Sequence, residues 1–115
     1  MRASVARLPS NLTGKQRRFL RALAHSLKPT LQIGLKGLTP GVTAELDRAL
    51  ETHELIKVKL DADQAPEALS LRDAIESGAH CHVVQHIGRT FVVYRERAKD
   101  PKIALPGVKQ RDVKA

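Results

Sequence analysis

From Leu55 to Leu60 the chain alternates: Ile56, Val58 and Leu60 point one way, Lys57 and Lys59 the other. A period of two with cations on the second face predicts a half-buried strand whose outer face is wet and basic. Upstream the period lengthens to that of a helix. Thr13 begins it, with Gln16 three residues on in capping-box register. Phe19, Leu20, Leu23, Ala24 and Leu27 then form one apolar stripe, while Arg17, Arg18, Arg21, His25 and Lys28 gather on the opposite side. Pro29 ends this helix, because the residue before a proline disfavours the α conformation. Thr30 to Ile33 is a short strand.

A second helix is predicted from Pro40 to Glu54, with Val42, Leu46, Ala49, Leu50 and His53 inside and Glu45, Asp47, Arg48 and Glu51 outside. His53 on that inner stripe is expected to be structural. Pro66 opens a third helix with the stripe Ala68, Leu71 and Ile75, and Gly78 fits the residue just past its end. His82 to Ile87 and Thr90 to Arg95 read as strands, and Gly88-Arg89 between them suits a type II′ hairpin turn. The order is helix, strand, helix, strand, helix, strand, strand. It predicts an α/β domain with parallel strand pairs, an antiparallel final hairpin and a mixed four-stranded sheet covered by helices. Residues 1–11 read as a loose leader, 12–97 as the domain, and 98–115 as a basic tail that orders only on its target.

Between the first strand and the second helix stands Ile33-Gly34-Leu35-Lys36-Gly37-Leu38-Thr39-Pro40. Thr39 suits an N-cap and Pro40 the first helical position. Glycines at both ends of the loop allow positive φ and let another molecule approach the backbone. Lys36 beside the amides of a helix start suits an anion, phosphate above all.

Charge makes that reading directional. The 115 residues carry a net +8, a balance that favours a polyanion, with nucleic acid ahead of a membrane surface. The first helix has a face of cations uninterrupted by acids, whereas the outer face of the second is net acidic and should turn away from a polyanion. Aromatic residues make up only 3% with no Trp, so backbone contact rather than base stacking should supply most affinity. The single cysteine, Cys81, fits a reducing compartment, and no apolar run approaches membrane-spanning length; the cytoplasm is the expected location.

Catalytic and metal chemistry find little support. His80, Cys81, His82 and His86 crowd together, and alternation could place His82 and His86 on one strand face, yet the Cys-x-x-Cys pair usual in structural zinc sites is missing. Cys81 and its histidine neighbours, being consecutive in a strand, point to opposite faces and make no dyad. Glu45 and Asp47 lie on an exposed helix surface, and the glycine loop lacks the spacing of a nucleotide-hydrolysing P-loop. No enzyme, cofactor or metal site is expected.

Five pieces occur in a familiar order. They are Leu23-Ala24-His25 with Leu27-Lys28-Pro29, Ile33 through Thr39, His53 through Lys59, Ile87-Gly88-Arg89-Thr90 leading to Tyr94-Arg95, and Lys102-Ile103-Ala104-Leu105-Pro106. In this the chain resembles the CRM domain, and specifically the single-domain bacterial YhbY-like proteins, over Leu12 to Pro106. The resemblance implies an RNA-binding fold similar to the C-terminal domain of bacterial translation initiation factor three, with a Gly-x-x-Gly loop likened to that of KH domains. Bacterial members associate with precursors of the large ribosomal subunit, and plant organellar relatives act in group II intron splicing. By position, Gly34, Leu35, Lys36, Gly37 and the basic first helix (Arg17, Arg18, Arg21, His25, Lys28) are the implied RNA contacts. Lys57, Lys59, Arg89 and Arg95 rank second. His86 departs from the pattern, standing where an apolar residue is usual. The resulting expectation is a non-catalytic, monomeric ribosome assembly factor binding ribosomal RNA; a basic adaptor docking on an acidic protein partner is the alternative.

Overall fold

The computed structural model describes residues 12–62, 67–97 and 99–106; the expected leader, the role of Pro66 and the chain beyond Pro106 lie outside these residues. Seven elements follow one another: α1 (Gly14–Ala24), β1 (Pro29–Ile33), α2 (Pro40–His53), β2 (Leu55–Leu60), α3 (Ala68–Ala79), β3 (His82–Ile87) and β4 (Thr90–Tyr94). The expected mixed α/β architecture is present. The four strands stand in the order β1-β2-β4-β3, with β1 and β2 parallel and the other pairs antiparallel. Thus β3 runs in the same direction as β2, but β4 is inserted between them.

The sheet has a core on each face. Ile33, Ile56, Val58, Leu60, Val83, Phe91 and Val93 pack with Leu46 and Leu50 of α2 and Leu71 and Ile75 of α3. On the other face Leu55, Val84, Val92 and Tyr94 receive Leu12, Leu20 and Ala24. Val83 and Val84, consecutive in β3, serve opposite cores by ordinary alternation, and a β-bulge between Val83 and Gln85 then shifts the face of the residues that follow.

Local signals start α1 and α2 as the residues predict. Thr13 and Gln16 form the reciprocal capping box, and Thr39 Oγ1 accepts the Val42 N–H at 3.2 Å. The ends differ. α1 stops at Ala24, so Leu27 falls outside the helix, and Leu23 and Leu27 are both exposed. The buried line is instead Gln16, Leu20 and Ala24 at four-residue spacing. His53 is exposed in the last turn of α2 and not packed inside it. α3 runs through Gly78 so that Ala79 reaches the core, and His80 takes the left-handed capping conformation instead (φ 52°).

Beyond β4 the chain does not leave the domain at residue 98. Ile103 and Leu105 pack against the second core, and Pro106 carbonyl oxygen accepts from Gln16 Nε2 at 3.1 Å. The described residues through Pro106 thus pack onto the domain.

Candidate nucleic-acid interface

The C-terminal ends of β1 and β2 lie together with the β3–β4 hairpin tip at one end of the sheet. There Gly34-Leu35-Lys36-Gly37 forms a turn closed by Gly37 N–H donating to Gly34 carbonyl oxygen at 3.0 Å. Leu35 and Lys36 occupy its corners, exposed to solvent. The two glycines are there for different reasons. Gly37 needs its freedom, with φ +70°. Gly34 takes no positive φ, and a Cβ built on it would meet nothing within 4 Å. The fold itself therefore gives no reason for glycine at position 34.

At the adjoining start of α2, Pro40 has no N–H and Thr39 takes that of Val42. The exposed Gly41 is left with the first-turn amide, a smaller set of donors than a bare helix start offers.

Beside the turn, on the α1 face of the sheet, runs a row of cross-strand neighbours: Gln32 pairs with Lys59, Lys59 with Thr90, and Thr90 with Ile87. Gln32, Lys59 and Ile87 are exposed and Thr90 is half-buried. Helix α1 covers the opposite half of this face, over Leu55, Val84, Val92 and Tyr94.

A family model, the CRS1 / YhbY (CRM) domain, matches residues 12–95. The chain belongs to this family. A Bacillus subtilis (strain 168) protein named "Probable RNA-binding protein YqeI" is 39% identical over 95 residues, covering 83% of this chain and 99% of the relative. A Haemophilus influenzae protein named "RNA-binding protein" is 44% identical over 98 residues, covering 84% and 97%. The solution structure of the hypothetical protein SAV1595 from Staphylococcus aureus, a candidate RNA-binding protein, superposes with a TM-score of 0.72 at 38% identity, covering 84% of this chain and all of that one.

This CRM domain distributes its basic residues unevenly. Gly34, Leu35, Lys36, Gly37, Lys59 and Arg89 share one end of the sheet. Arg18, Arg21 and His25 are exposed on α1. Lys57 is half-buried, two register pairs back from Lys59 toward α1. Lys28 lies at the other end, in a groove of about 340 Å³ with Leu23, Leu27, Thr30, His53, Leu55 and Ile103. Two of the expected cations are occupied. Arg17 Nη1 donates to the Val83 and Val84 carbonyls at 3.2 and 3.3 Å. Arg95 reaches to the α2–α3 side and binds Asp47, Glu51 and the Ala79 carbonyl.

The histidine–cysteine cluster is dispersed by the bulge in β3. His82 pairs with Tyr94 on the α1 face, whereas His86 pairs with Phe91 on the other, so the two histidines do not share a side. His86 sits edge-on to Phe91 at 4.8 Å between ring centroids, its Nε2 3.0 Å from the Gly88 carbonyl oxygen, which is how a polar ring fills this position. Cys81 is buried, and its Sγ donates to the Ile75 carbonyl at 3.5 Å. Burial pushes its thiol up to about 12, with Arg95 opposing and Glu76 adding to the shift, so it is not a thiolate near neutral pH. Among the described residues, no three His, Cys, Asp or Glu side chains are grouped to hold a metal ion.

Sequence patterns did not single out Ile87 or Glu54. Ile87 ends β3 next to the hairpin turn and is 60% exposed. Glu54 carried the polar character of a helix end, yet it is fully buried.

Proposed function

We propose that this CRM domain binds RNA through the end of the sheet that carries Gly34–Gly37, and that it serves as an assembly factor on ribosomal RNA in precursors of the large subunit. The observation that carries the reading is Gly34: neither backbone conformation nor packing asks for glycine there, whereas close approach of a phosphate to the turn does. The names of the Bacillus and Haemophilus relatives support an RNA partner. The ribosomal target rests on the resemblance to YhbY-like proteins. A contribution from α1 is supported by its position: it packs on the sheet face that carries the row containing Lys59, and its Arg18 and Arg21 are exposed. Lys36, Lys59, Arg89, Arg18 and Arg21 supply charge. Arg95, whose donors are engaged on the other side of the sheet, is not part of this surface.

Phosphate contacts position a protein and bring steep salt dependence but read little sequence, so RNA shape supplies the specificity. The decisive experiment is direct binding of the purified protein to large-subunit ribosomal RNA fragments. The variant Leu35→Glu/Lys36→Glu should keep its fold and lose retention; retention equal to wild type would refute the role of the turn. A protein that sediments with large-subunit precursors, stays with them after RNase treatment and binds no purified RNA would be the basic adaptor instead.

A further inference from the structure

The sheet end that bears the glycine turn bears a second projecting tip, the β3–β4 hairpin. Gly88 takes the positive φ of a tight turn (+56°), with Ile87 before it and Arg89 after it. Consecutive amides at the end of β2 hold both tips: Leu60 N–H donates to Arg89 carbonyl oxygen at 2.6 Å, and Asp61 N–H to Ile33 carbonyl oxygen at 2.9 Å. The tips thus stand at a set separation. Each pairs an exposed aliphatic side chain with a cation, Leu35 (66% exposed) with Lys36 and Ile87 (60% exposed) with Arg89.

We propose that the hairpin tip is a second prong for the same RNA, and that an unpaired strand lies from turn to hairpin across Gln32, Lys59, Thr90 and Ile87. This rests on the RNA-binding reading above. Three inter-strand steps separate β1 from β3, roughly 14 Å, a span that a few nucleotides of single strand cover. The aliphatic tips decide between strand and duplex. Leu35 and Ile87 gain by covering the faces of unstacked bases or ribose, whereas a duplex hides its base faces and shows backbone and groove edges. Aromatic side chains do not compete for that task, because Phe91 and Tyr94 are buried in the cores and Phe19, on α1, is half-buried against the second core.

The test uses fluorescence anisotropy with a labelled mixed-sequence single-stranded oligoribonucleotide and the same sequence annealed to its complement. Ile87→Ala/Arg89→Ala removes two exposed side chains, and thermal unfolding confirms that the fold is kept. It should lose about tenfold in affinity for the single strand and lower the salt slope by roughly one, as should Leu35→Ala/Lys36→Ala. The single strand should bind more tightly than the duplex. A hairpin variant that binds like wild type while the turn variant loses affinity would overturn the second prong and leave RNA binding by the turn intact. Preference for the duplex would overturn the unpaired strand. A wild-type protein that binds neither probe nor ribosomal RNA fragments would remove the reading beneath both.

Discussion

The fully buried carboxylate of Glu54 accepts the backbone N–H of Ile103 at 2.8 Å. The same Oε1 takes the Lys102 N–H at 2.7 Å, and Oε2 takes that of Arg97 at 2.8 Å. Glu54 stands where α2 gives way to β2, at φ +67°. Three amides satisfy a charge that would otherwise be costly to bury, and in doing so they fasten the C-terminal segment over the core that seats α1.

Replacing Glu54 should therefore weaken the whole domain. Glu54→Gln puts an NH₂ group against at least one of these amides, and Glu54→Ala leaves all three without their acceptor. A loss of about 2–4 kcal/mol is expected from unsatisfied groups of this kind, measured by urea denaturation. Limited proteolysis should cut the Glu54→Ala variant within residues 99–106 before the rest of the domain. Wild-type stability and cleavage would mean that the clamp does not hold the segment.

The two turn glycines should separate stability from binding. Gly37→Ala forces a Cβ into φ +70° and should destabilise by about 1 kcal/mol. Gly34→Ala, placed in open space at an ordinary φ, should leave the unfolding midpoint within error of wild type yet lower RNA affinity. If Gly34→Ala binds RNA as wild type does, close approach at that position is not what the turn provides.

Cys81 should be silent to thiol reagents in the native state and react only on unfolding. Its folded-state value, pushed up to about 12 from an ordinary 9.0, also fixes a sign. The unfolded thiol ionises first as the pH rises, so this group's contribution is intact below pH 9 and is lost between 9 and about 12. The slope approaches about 1.4 kcal/mol per pH unit. Comparing wild type with Cys81→Ala by urea denaturation across that window checks it: the wild type should lose stability more steeply. Parallel curves would show that the thiol does not titrate differently on unfolding.

Arg95 should behave as a structural residue. Its guanidinium joins Asp47 and Glu51 of α2 to the Ala79 carbonyl at the end of α3, and its side chain is only 15% exposed. The two carboxylates are largely solvated, which limits what the ion pairs contribute. The bonds to the Ala79 and Asp47 carbonyls are the more sheltered part. Arg95→Ala should cost about 1–2 kcal/mol of stability and leave the salt slope of RNA binding unchanged. A lower slope would assign Arg95 to the RNA surface after all.

Much of this architecture is legible in the residues alone. Thr13 with Gln16, Thr39 with Pro40, and the alternation of Leu55 to Leu60 each act within a few residues, and each stands in the fold as the local pattern implies. The misreadings have a common cause. Leu23, Leu27 and His53 have the spacing of inner positions, but whether a helix face is covered depends on elements elsewhere in the chain. The partners of Glu54 lie 43 to 49 residues away, beyond the reach of any window that defines a helix or strand. The bulge in β3 arises from pairing with β4, and it undoes the face assignment that simple alternation gives His82 and His86.

By itself the sequence determined the element types, the basic character and the Gly-x-x-Gly turn, because caps, periodicity and charge are properties of neighbouring residues. Only the tertiary structure decided which cations are available. Arg17 and Arg95 spend donors on carbonyls and carboxylates of distant elements, whereas strand pairing gathers Lys59 and Arg89 at the end that carries Lys36. The physical reason is that a donor's freedom depends on what the folded chain brings within about 3 Å of it, and residue spacing alone does not specify that.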